Sequence, residues 1–242
     1  DANFNDGSCD YSCYDNGDYS LSFDGIDDYV ASTNIHQLSG TEATYTISLW
    51  TKLLNDEGSQ ILWTYDGNDV GETNDIYMYW TGDQLQYQTG DGGPELISSI
   101  NDLDDNKWHH IVFVKTQDQV LLYEDGQLKN IENKSGREFN DSYTFRLADN
   151  KNVNHWNGLI RDVYILDIPL TQEQIQSQEY PEENIVLDYK FSVGSDNILI
   201  DHSGNINHGV INGATWQENI YGCTDQFACN FNSEADFDDG SC

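Results

Sequence analysis

Residues 109–128 read HHIVFVKTQDQVLLYEDGQL, and this stretch decides the fold. It holds two short runs rich in Val, Leu, Tyr and Phe, a composition that favours β-strands. The second run leads into the tetrapeptide EDGQ (124–127), where Asp-Gly favours the tight turn of a β-hairpin. The stretch therefore predicts strands at 109–116 and 119–126, followed by a hairpin turn.

The same pattern of short apolar runs and polar turns continues on both sides. A second hairpin turn is predicted at TGDQ (81–84), and one helical turn at 171–178, where Thr171 precedes Glu173 and Gln174. About ten short strands at this spacing predict an all-β jelly-roll sandwich of two antiparallel sheets. The further predicted strands are 20–30, 45–53, 59–65, 75–80, 84–89, 142–148, 158–166, 184–191 and 208–213.

Two partial copies of one acidic unit flank these strands. Residues 2–9 read ANFNDGSC and residues 235–242 read ADFDDGSC, which are identical at six of eight positions. A whole unit would carry four cysteines, which predicts two disulfides and an extracellular setting, although the sequence does not give the pairing. We therefore divide the chain into 1–13, the end of one unit; 14–220, the sandwich, completed by 183–220; and 221–242, the start of a second unit.

Charge and hydropathy exclude several classes of partner. The 242 residues include 43 acids and 10 bases, which gives a formal net charge of −33. A nucleic-acid partner is excluded because phosphate binding needs clustered Lys and Arg. No apolar run approaches the roughly 18 residues of a membrane helix. Without an initiator Met or a signal peptide, we expect a monomeric segment of a longer secreted or cell-surface protein.

So much negative charge repels itself, and bound Ca²⁺ would relieve the repulsion. Carboxylates spaced along loops supply the hard oxygen ligands that calcium prefers. One candidate loop is 65–75, with Asp66, Asp69, Glu72 and Asp75. The other is the C-terminal unit, with Asp236, Asp238 and Asp239. The alternative in both places is a hydrated acidic loop without metal.

The segment IYMYW (76–80) is the candidate carbohydrate-binding strand. Alternation along a strand places one of two sets of side chains away from the core: either Tyr77 and Tyr79, or Ile76, Met78 and Trp80. Sugar rings stack on aromatic planes while polar neighbours fix their orientation. The alternative is that the whole segment packs between the sheets. The candidate carbohydrate-binding residues are Tyr77, Tyr79, Trp80, Gln86 and Gln88.

The remaining tryptophans and the histidines are predicted to have structural roles. His109 and His110 alternate across one strand and no third zinc ligand has the right spacing, so we expect packing and turn roles for the histidines. We expect five tryptophans to pack in the core: Trp50, Trp63, Trp108, Trp156 and Trp216.

The order of several motifs resembles that of laminin-G-like, concanavalin-A-like jelly-roll domains. The motifs are FDGIDDYV (23–30), YTISLW (45–50), KWHHIVFV (107–114), LLYEDGQL (121–128) and WNGLIRDVYILDIPLTQEQI (156–175). The resemblance covers nearly all of 19–216, and it implies the fold more strongly than a function, because this sandwich serves lectins, protein-binding domains and enzymes. The flanking units resemble GCTD…DDGSC repeats of large bacterial surface proteins, which implies surface display.

The resemblance also implies a structural calcium site. In related sandwiches, carboxylates at the positions of Asp24 and Asp162 share one ion with backbone carbonyls. Asp162 lies within an apolar strand, where an unpartnered carboxylate is costly. The alternative is a salt bridge, for which Arg161 is a poor partner because neighbouring strand residues point to opposite faces.

These observations favour a binding module over an enzyme. The ExDxxE spacing of glycoside hydrolases on this fold is absent from the sequence, as are a nucleophile elbow and a phosphate loop. We therefore expect a calcium-stabilised, lectin-like adhesion module that binds a glycan. The alternative is a structural spacer or protein-interaction domain, and a glycoside hydrolase is a distant third.

Overall fold

A computed structural model describes residues 15–35, 44–66, 76–82, 84–89, 103–133, 144–149 and 154–242. It contains one short α-helix, α1 (Gln172–Ser177), and a 3₁₀ turn at Glu182–Asn184. The strands are β1 (Tyr19–Asp24), β2 (Tyr29–Asn34), β3 (Tyr45–Leu53), β4 (Gln60–Asp66), β5 (Ile76–Thr81), β6 (Gln84–Thr89), β7 (His109–Lys115), β8 (Gln119–Glu124), β9 (Gln127–Asn133), β10 (Thr144–Leu147), β11 (Asn157–Leu166), β12 (Ile185–Tyr189), β13 (Ile198–Leu199), β14 (Gly209–Asn212), β15 (Thr215–Glu218), β16 (Tyr221–Gly222) and β17 (Phe237–Asp238).

Fifteen of these strands form two antiparallel sheets. Sheet A has the order β15-β1-β11-β3-β7-β8-β9, with β12 also paired to β11. Sheet B has the order β13-β14-β2-β10-β4-β5-β6. The late strands join both sheets, since β12 pairs with β11, β14 with β2, and β15 with β1. The predicted class, an all-β jelly-roll sandwich, is confirmed.

The core lies between the sheets and is strongly aromatic. In β5, for example, the alternate side chains of Ile76, Met78 and Trp80 are buried while Tyr77 and Tyr79 are half-buried. The ring of Phe113 from sheet A stacks on Tyr87 from sheet B at a centroid distance of 4.5 Å. Burial of such rings removes large apolar areas from water and is the main stabilising contribution.

A smaller cluster forms on the outer surface of sheet A. There α1 places Ile175 over Val112, Val114 and Leu166. The helix begins with a capping box, in which the Thr171 side chain accepts from the Gln174 backbone N–H and the Gln174 side chain accepts from the Thr171 backbone N–H. This is the helical turn that the sequence predicts.

The turns follow from local sequence. At EDGQ, Glu124 pairs with Gln127 and both central residues have positive φ, 49° at Asp125 and 73° at Gly126, as a type I′ hairpin requires. The predicted run 20–30 is two strands rather than one. Asp24 accepts a hydrogen bond from the Ile26 N–H and Gly25 has a φ of 77°, which turns the chain there.

The C-terminal unit contacts sheet A. Its disulfide joins Cys223 to Cys242, and Cys229 is exposed and free. Phe237 stacks on Trp108 at 5.4 Å, and the Arg161 guanidinium lies 4.6 Å from the centre of the same phenyl ring. The first acidic unit, with Cys9 and Cys13, lies outside the described residues.

Asp18 links the entry and exit of the sandwich. Its backbone C=O accepts from the Asn219 N–H at 3.0 Å, and its Oδ1 accepts from Asn219 Nδ2 at 2.9 Å. Its Oδ2 lies 3.5 Å from the Arg161 guanidinium and accepts from the Tyr221 hydroxyl. Strands β1 and β15 are thereby joined where the chain enters and leaves sheet A.

Candidate functional site

The outer surface of sheet B carries the predicted pair of tyrosines. Tyr77 and Tyr79 point away from the core, with ring centroids 5.5 Å apart and planes at 52°. On β6, Gln88 lies opposite Tyr77 and Gln86 opposite Tyr79. The structure therefore brings four of the five predicted carbohydrate-binding residues together.

The side chain of Gln86 is hydrogen-bonded to Tyr79. It is 9% exposed, and its Oε1 accepts a hydrogen bond of 2.7 Å from the Tyr79 hydroxyl. Partial burial raises the pKa of Tyr79, so this hydroxyl stays protonated and remains a donor. Gln86 thus orients the Tyr79 ring, and Gln88 is the more accessible amide.

The prediction that Trp80 contacts sugar is wrong. Trp80 is 0% exposed and belongs to the central core, because the alternation of β5 turns it inward together with Ile76 and Met78. A buried indole between two sheets has no access to a ligand.

The structure does not bring together Asp24 and Asp162, which were predicted to share one calcium ion. Asp24 lies opposite Asn157 in the β1–β11 pair, and Asp162 is five residues further along β11. At about 3.3 Å per residue the two carboxylates are too far apart to share an ion. Asp24 instead joins Asp27 and Asp28, whose ligand oxygens all lie within 4.8 Å of one another.

Asp28 is the buried member of this group, at 6% exposure. Burial raises the pKa of Asp28, although a hydrogen bond of 2.9 Å from the Asp24 N–H to its Oδ2 opposes the shift. The like charges of Asp24 and Asp27 raise the pKa further. A divalent cation would reverse these effects, so the donor set fits Ca²⁺.

Asp162 forms a salt bridge with Arg161, although strand alternation predicts that the two side chains point to opposite faces. Its carboxylate accepts from Arg161 Nε at 2.6 Å. The pair can meet because β11 bulges between Arg161 and Tyr164, and Asp162 takes a φ of 48°. Burial raises the pKa of Asp162, and the arginine partly offsets that shift.

The acidic C-terminal unit does not bring its three predicted ligands together. Asp236 lies 3.5 Å from Lys52 Nζ and accepts from the Ile220 N–H. Asp238 and Asp239 accept backbone hydrogen bonds from Gly240 and Ser241. Each carboxylate therefore stabilises local structure. Of the predicted loop site, Asp69, Glu72 and Asp75 lie outside the described residues, as does the side chain of Asp66.

Sequence reasoning missed a pocket on the outer surface of sheet A. The pocket, of about 390 Å³, lies beside α1 and is lined by Trp50, Trp108, His110 and the amides of Gln127 and Gln176. Trp50 is half-buried and stacks on His110 at 5.1 Å, so the prediction that it belongs to the core is wrong. Alternation along β3 turns the Trp50 side chain outward. Its position beside His110, which forms this pocket, depends on the pairing of β3 with β7.

A second cleft on the same surface has a volume of about 700 Å³. Tyr164, Tyr180, Asp188, Lys190 and His202 line it. Burial raises the pKa of Asp188 to about 7. The Oδ1 atom of Asp188 is buried without a hydrogen-bond partner.

Comparisons with known proteins agree on the fold. A candidate carbohydrate-binding protein of Bacteroides ovatus superposes with a TM-score of 0.63 at 13% identity over 84% of this chain, which spans 60% of that protein's length. The heptameric SAP-like pentraxin of Limulus polyphemus gives 0.61 at 14% identity, with 83% and 95% of the two chains covered. The binding domain of botulinum neurotoxin serotype D gives 0.51 at 17% identity, with 66% and 41% covered.

At these identities the likeness establishes the fold alone. No curated protein matched the sequence. The helices in the described part of the chain lack the length and hydrophobicity of a membrane-spanning segment. The family model described as the concanavalin A-like lectin/glucanases superfamily, of the laminin-G type, matches residues 24–176. That match spans more than half of the chain, which therefore belongs to this superfamily.

Proposed function

We propose that the chain is a calcium-stabilised carbohydrate-binding module of a secreted or cell-surface adhesion protein. The observation that carries the proposal is the Tyr77–Tyr79 pair, two adjacent rings on the outer surface of sheet B, with centroids 5.5 Å apart. Aromatic rings in this position stack against the C–H faces of sugars. Two rings along one strand suit a chain of sugars better than a single residue.

Polar groups beside the rings supply orientation. Gln88, opposite Tyr77, offers an amide donor and acceptor to sugar hydroxyls, and Gln86 holds the Tyr79 hydroxyl. A few placed polar groups around an apolar surface are typical of small-ligand sites.

Calcium has a structural role in this proposal. Asp24, Asp27 and Asp28 would hold the ion through carboxylate oxygens, and the bound ion would stabilise the turn between β1 and β2. Bound Ca²⁺ would also reduce the repulsion that accompanies a net charge of −33.

The secreted or surface location is supported by two observations. The Cys223–Cys242 disulfide suits an oxidising compartment. The two acidic cysteine units resemble surface-protein repeats. The structurally similar Bacteroides protein is a candidate carbohydrate-binding protein, which agrees with a binding role here.

The test is a glycan array in calcium, followed by isothermal titration of the best ligand. Tyr77→Ala and Tyr79→Ala should each weaken binding by about tenfold, equivalent to about 1.4 kcal/mol. Trp50→Ala is the matched control, because it removes a half-buried aromatic residue from the opposite sheet. The control should bind the glycan as the unmodified chain does.

Two outcomes would contradict the proposal. Loss of binding in Trp50→Ala with full binding in the tyrosine variants would move the glycan site to sheet A. No glycan binding by a folded, calcium-loaded chain would favour the alternative, a spacer or protein-interaction domain.

A further inference from the structure

Three ligand-type side chains converge at the hairpin between β8 and β9. His109 begins β7, Glu124 ends β8, and Asp125 is the first residue of the turn. The His109 Nδ1 atom lies 3.1 Å from Asp125 Oδ2 and 3.4 Å from Glu124 Oε1. All three ligand atoms lie within 4.8 Å of one another.

In each of these three side chains, the second nitrogen or oxygen atom contacts a neighbouring residue. His109 Nε2 lies 3.1 Å from Asp105 Oδ1, and Asp125 Oδ1 accepts from the His110 N–H at 2.9 Å. The Glu124 Oε2 atom lies 2.6 Å from Lys129 Nζ. A carboxylate on the far nitrogen of a ligating histidine is the usual outer-shell arrangement at metal sites, where it orients the ring.

A buried carboxylate oxygen of Glu124 is a second, independent indication of a bound cation. The side chain of Glu124 is 6% exposed, and its Oε1 is buried without a hydrogen-bond partner. An unsatisfied buried carboxylate oxygen is costly, and native structures rarely leave one without a reason. The imidazole Nδ1 of His109 lies 3.4 Å from this oxygen, a distance longer than that of an ordinary N–H···O hydrogen bond.

The donor set and the spacing identify the kind of ion. One imidazole nitrogen and two carboxylate oxygens suit Zn²⁺, whereas Ca²⁺ takes six to eight oxygens. Bonds of about 2.0–2.1 Å in a tetrahedron place neighbouring ligand atoms about 3.3 Å apart, close to the 3.1 and 3.4 Å observed here. The Asp125 side chain is 50% exposed, so the fourth position opens to solvent.

We propose that His109, Glu124 and Asp125 form a zinc site with an open fourth position, separate from the calcium group at Asp24. The proposal does not depend on glycan binding. Zinc there would tie the β8–β9 turn to the start of β7, and a ligand oxygen could occupy the fourth position.

The test is a Zn²⁺ titration of the chelator-treated full chain in excess calcium, monitored by calorimetry and by competition with a chromophoric chelator. One equivalent should bind. Asp125→Asn is the key variant, because Asn keeps the oxygen that accepts from His110 and Asn-Gly also favours this turn. Asp125→Asn should weaken zinc binding at least tenfold, and His109→Gln should do the same. Asp118→Asn, at an exposed position in the turn after β7, should leave the affinity unchanged.

Co²⁺ gives a second readout of the same site. Substituted for zinc, it should show the intense visible absorption of a four-coordinate ion, and Asp125→Asn should lose that absorption while its circular dichroism stays that of a folded chain. Failure to bind zinc would overturn the proposal and leave the cluster as a salt-bridge network. Equal zinc affinity in the folded Asp125→Asn variant would overturn it as well, because the ion would then lie elsewhere.

Discussion

Asp188 shows how one residue can make stability depend on pH. Its side chain is 10% exposed, and its Oδ2 atom lies 3.8 Å from Lys190 Nζ. Burial raises its pKa to about 7; Lys190 opposes the shift, and the nearby charge of Asp201 adds to it. In the unfolded chain the same group titrates near 3.9. The folded state therefore binds more protons between these values, and its stability falls as pH rises from about 4 through about 7.

Asp188→Asn should remove this loss. At pH 8 the variant should melt several degrees above the unmodified chain, because at least about 1 kcal/mol of unsatisfied burial is relieved. At pH 4 the two should melt together. Thermal melts across this range check the prediction, and a parallel pH dependence in both chains would contradict it.

Asp201→Asn is the matched control for that experiment. Asp201 is fully buried, and it accepts hydrogen bonds from the N–H groups of Asp188, Ser203 and Asn207 and from the Ser203 hydroxyl. Because its oxygens are already satisfied by donors, exchange for an amide should lower the melting temperature at every pH.

Trp80 and Tyr77 differ by three positions but should differ greatly in their effect on stability. Trp80→Ala empties a fully buried site and should cost about 3–5 kcal/mol. Tyr77→Ala removes a half-buried ring and should cost about 1 kcal/mol. Urea unfolding measures both values. Similar losses would show that Tyr77 belongs to the core.

At the scale of elements, local signals predicted most strands and both hairpin turns. The strand β9 was missed because most of its residues are exposed and polar, so it lacks the apolar alternation of its neighbours. It forms because it pairs with β8 across the EDGQ turn. The bulge in β11 could not be predicted either, because nothing in the local sequence indicates that the side chains of Arg161 and Asp162 can meet.

The cap of α1 is an element that can be tested alone. Thr171→Ala should cost about 1 kcal/mol, because it removes the acceptor for the Gln174 N–H at the start of the helix. Thr171→Ser keeps the hydroxyl and should restore most of the loss. Chemical unfolding of the three chains checks the prediction, and an unaltered midpoint in Thr171→Ala would show that packing of Ile175 alone holds the helix.

For the whole molecule, removal of calcium should lower the melting temperature. Chelator should act through the group at Asp24, and Asp27→Asn should abolish the difference between calcium and chelator. Asp118→Asn makes the same charge change at an exposed position at the other end of sheet A and should retain the difference. Equal concentrations of Mg²⁺ separate specific binding from general screening. An identical melt in calcium and chelator would contradict the calcium proposal.

The sites were harder to predict than the fold for a physical reason. Period-two patterning and turn residues act over a few positions, so each strand is visible locally. A site joins residues through strand register, as His109 meets Glu124 across β7 and β8. Trp50 likewise gains its surface position from the pairing of β3 with β7. The Tyr77–Tyr79 pair could be proposed from sequence because both rings lie on one strand.

The Asp18 linkage has a mechanical consequence. Strands β1 and β15 are antiparallel neighbours, with Tyr19 opposite Glu218, so tension applied at residues 18 and 219 would peel their hydrogen bonds apart one at a time. Unzipping of this kind resists far less force than sliding two strands along each other. The contacts of Asp18 with Asn219, Tyr221 and Arg161 lie at the point where peeling would begin. The force needed to open the sandwich would thus depend on these polar contacts of Asp18 rather than on the large aromatic core.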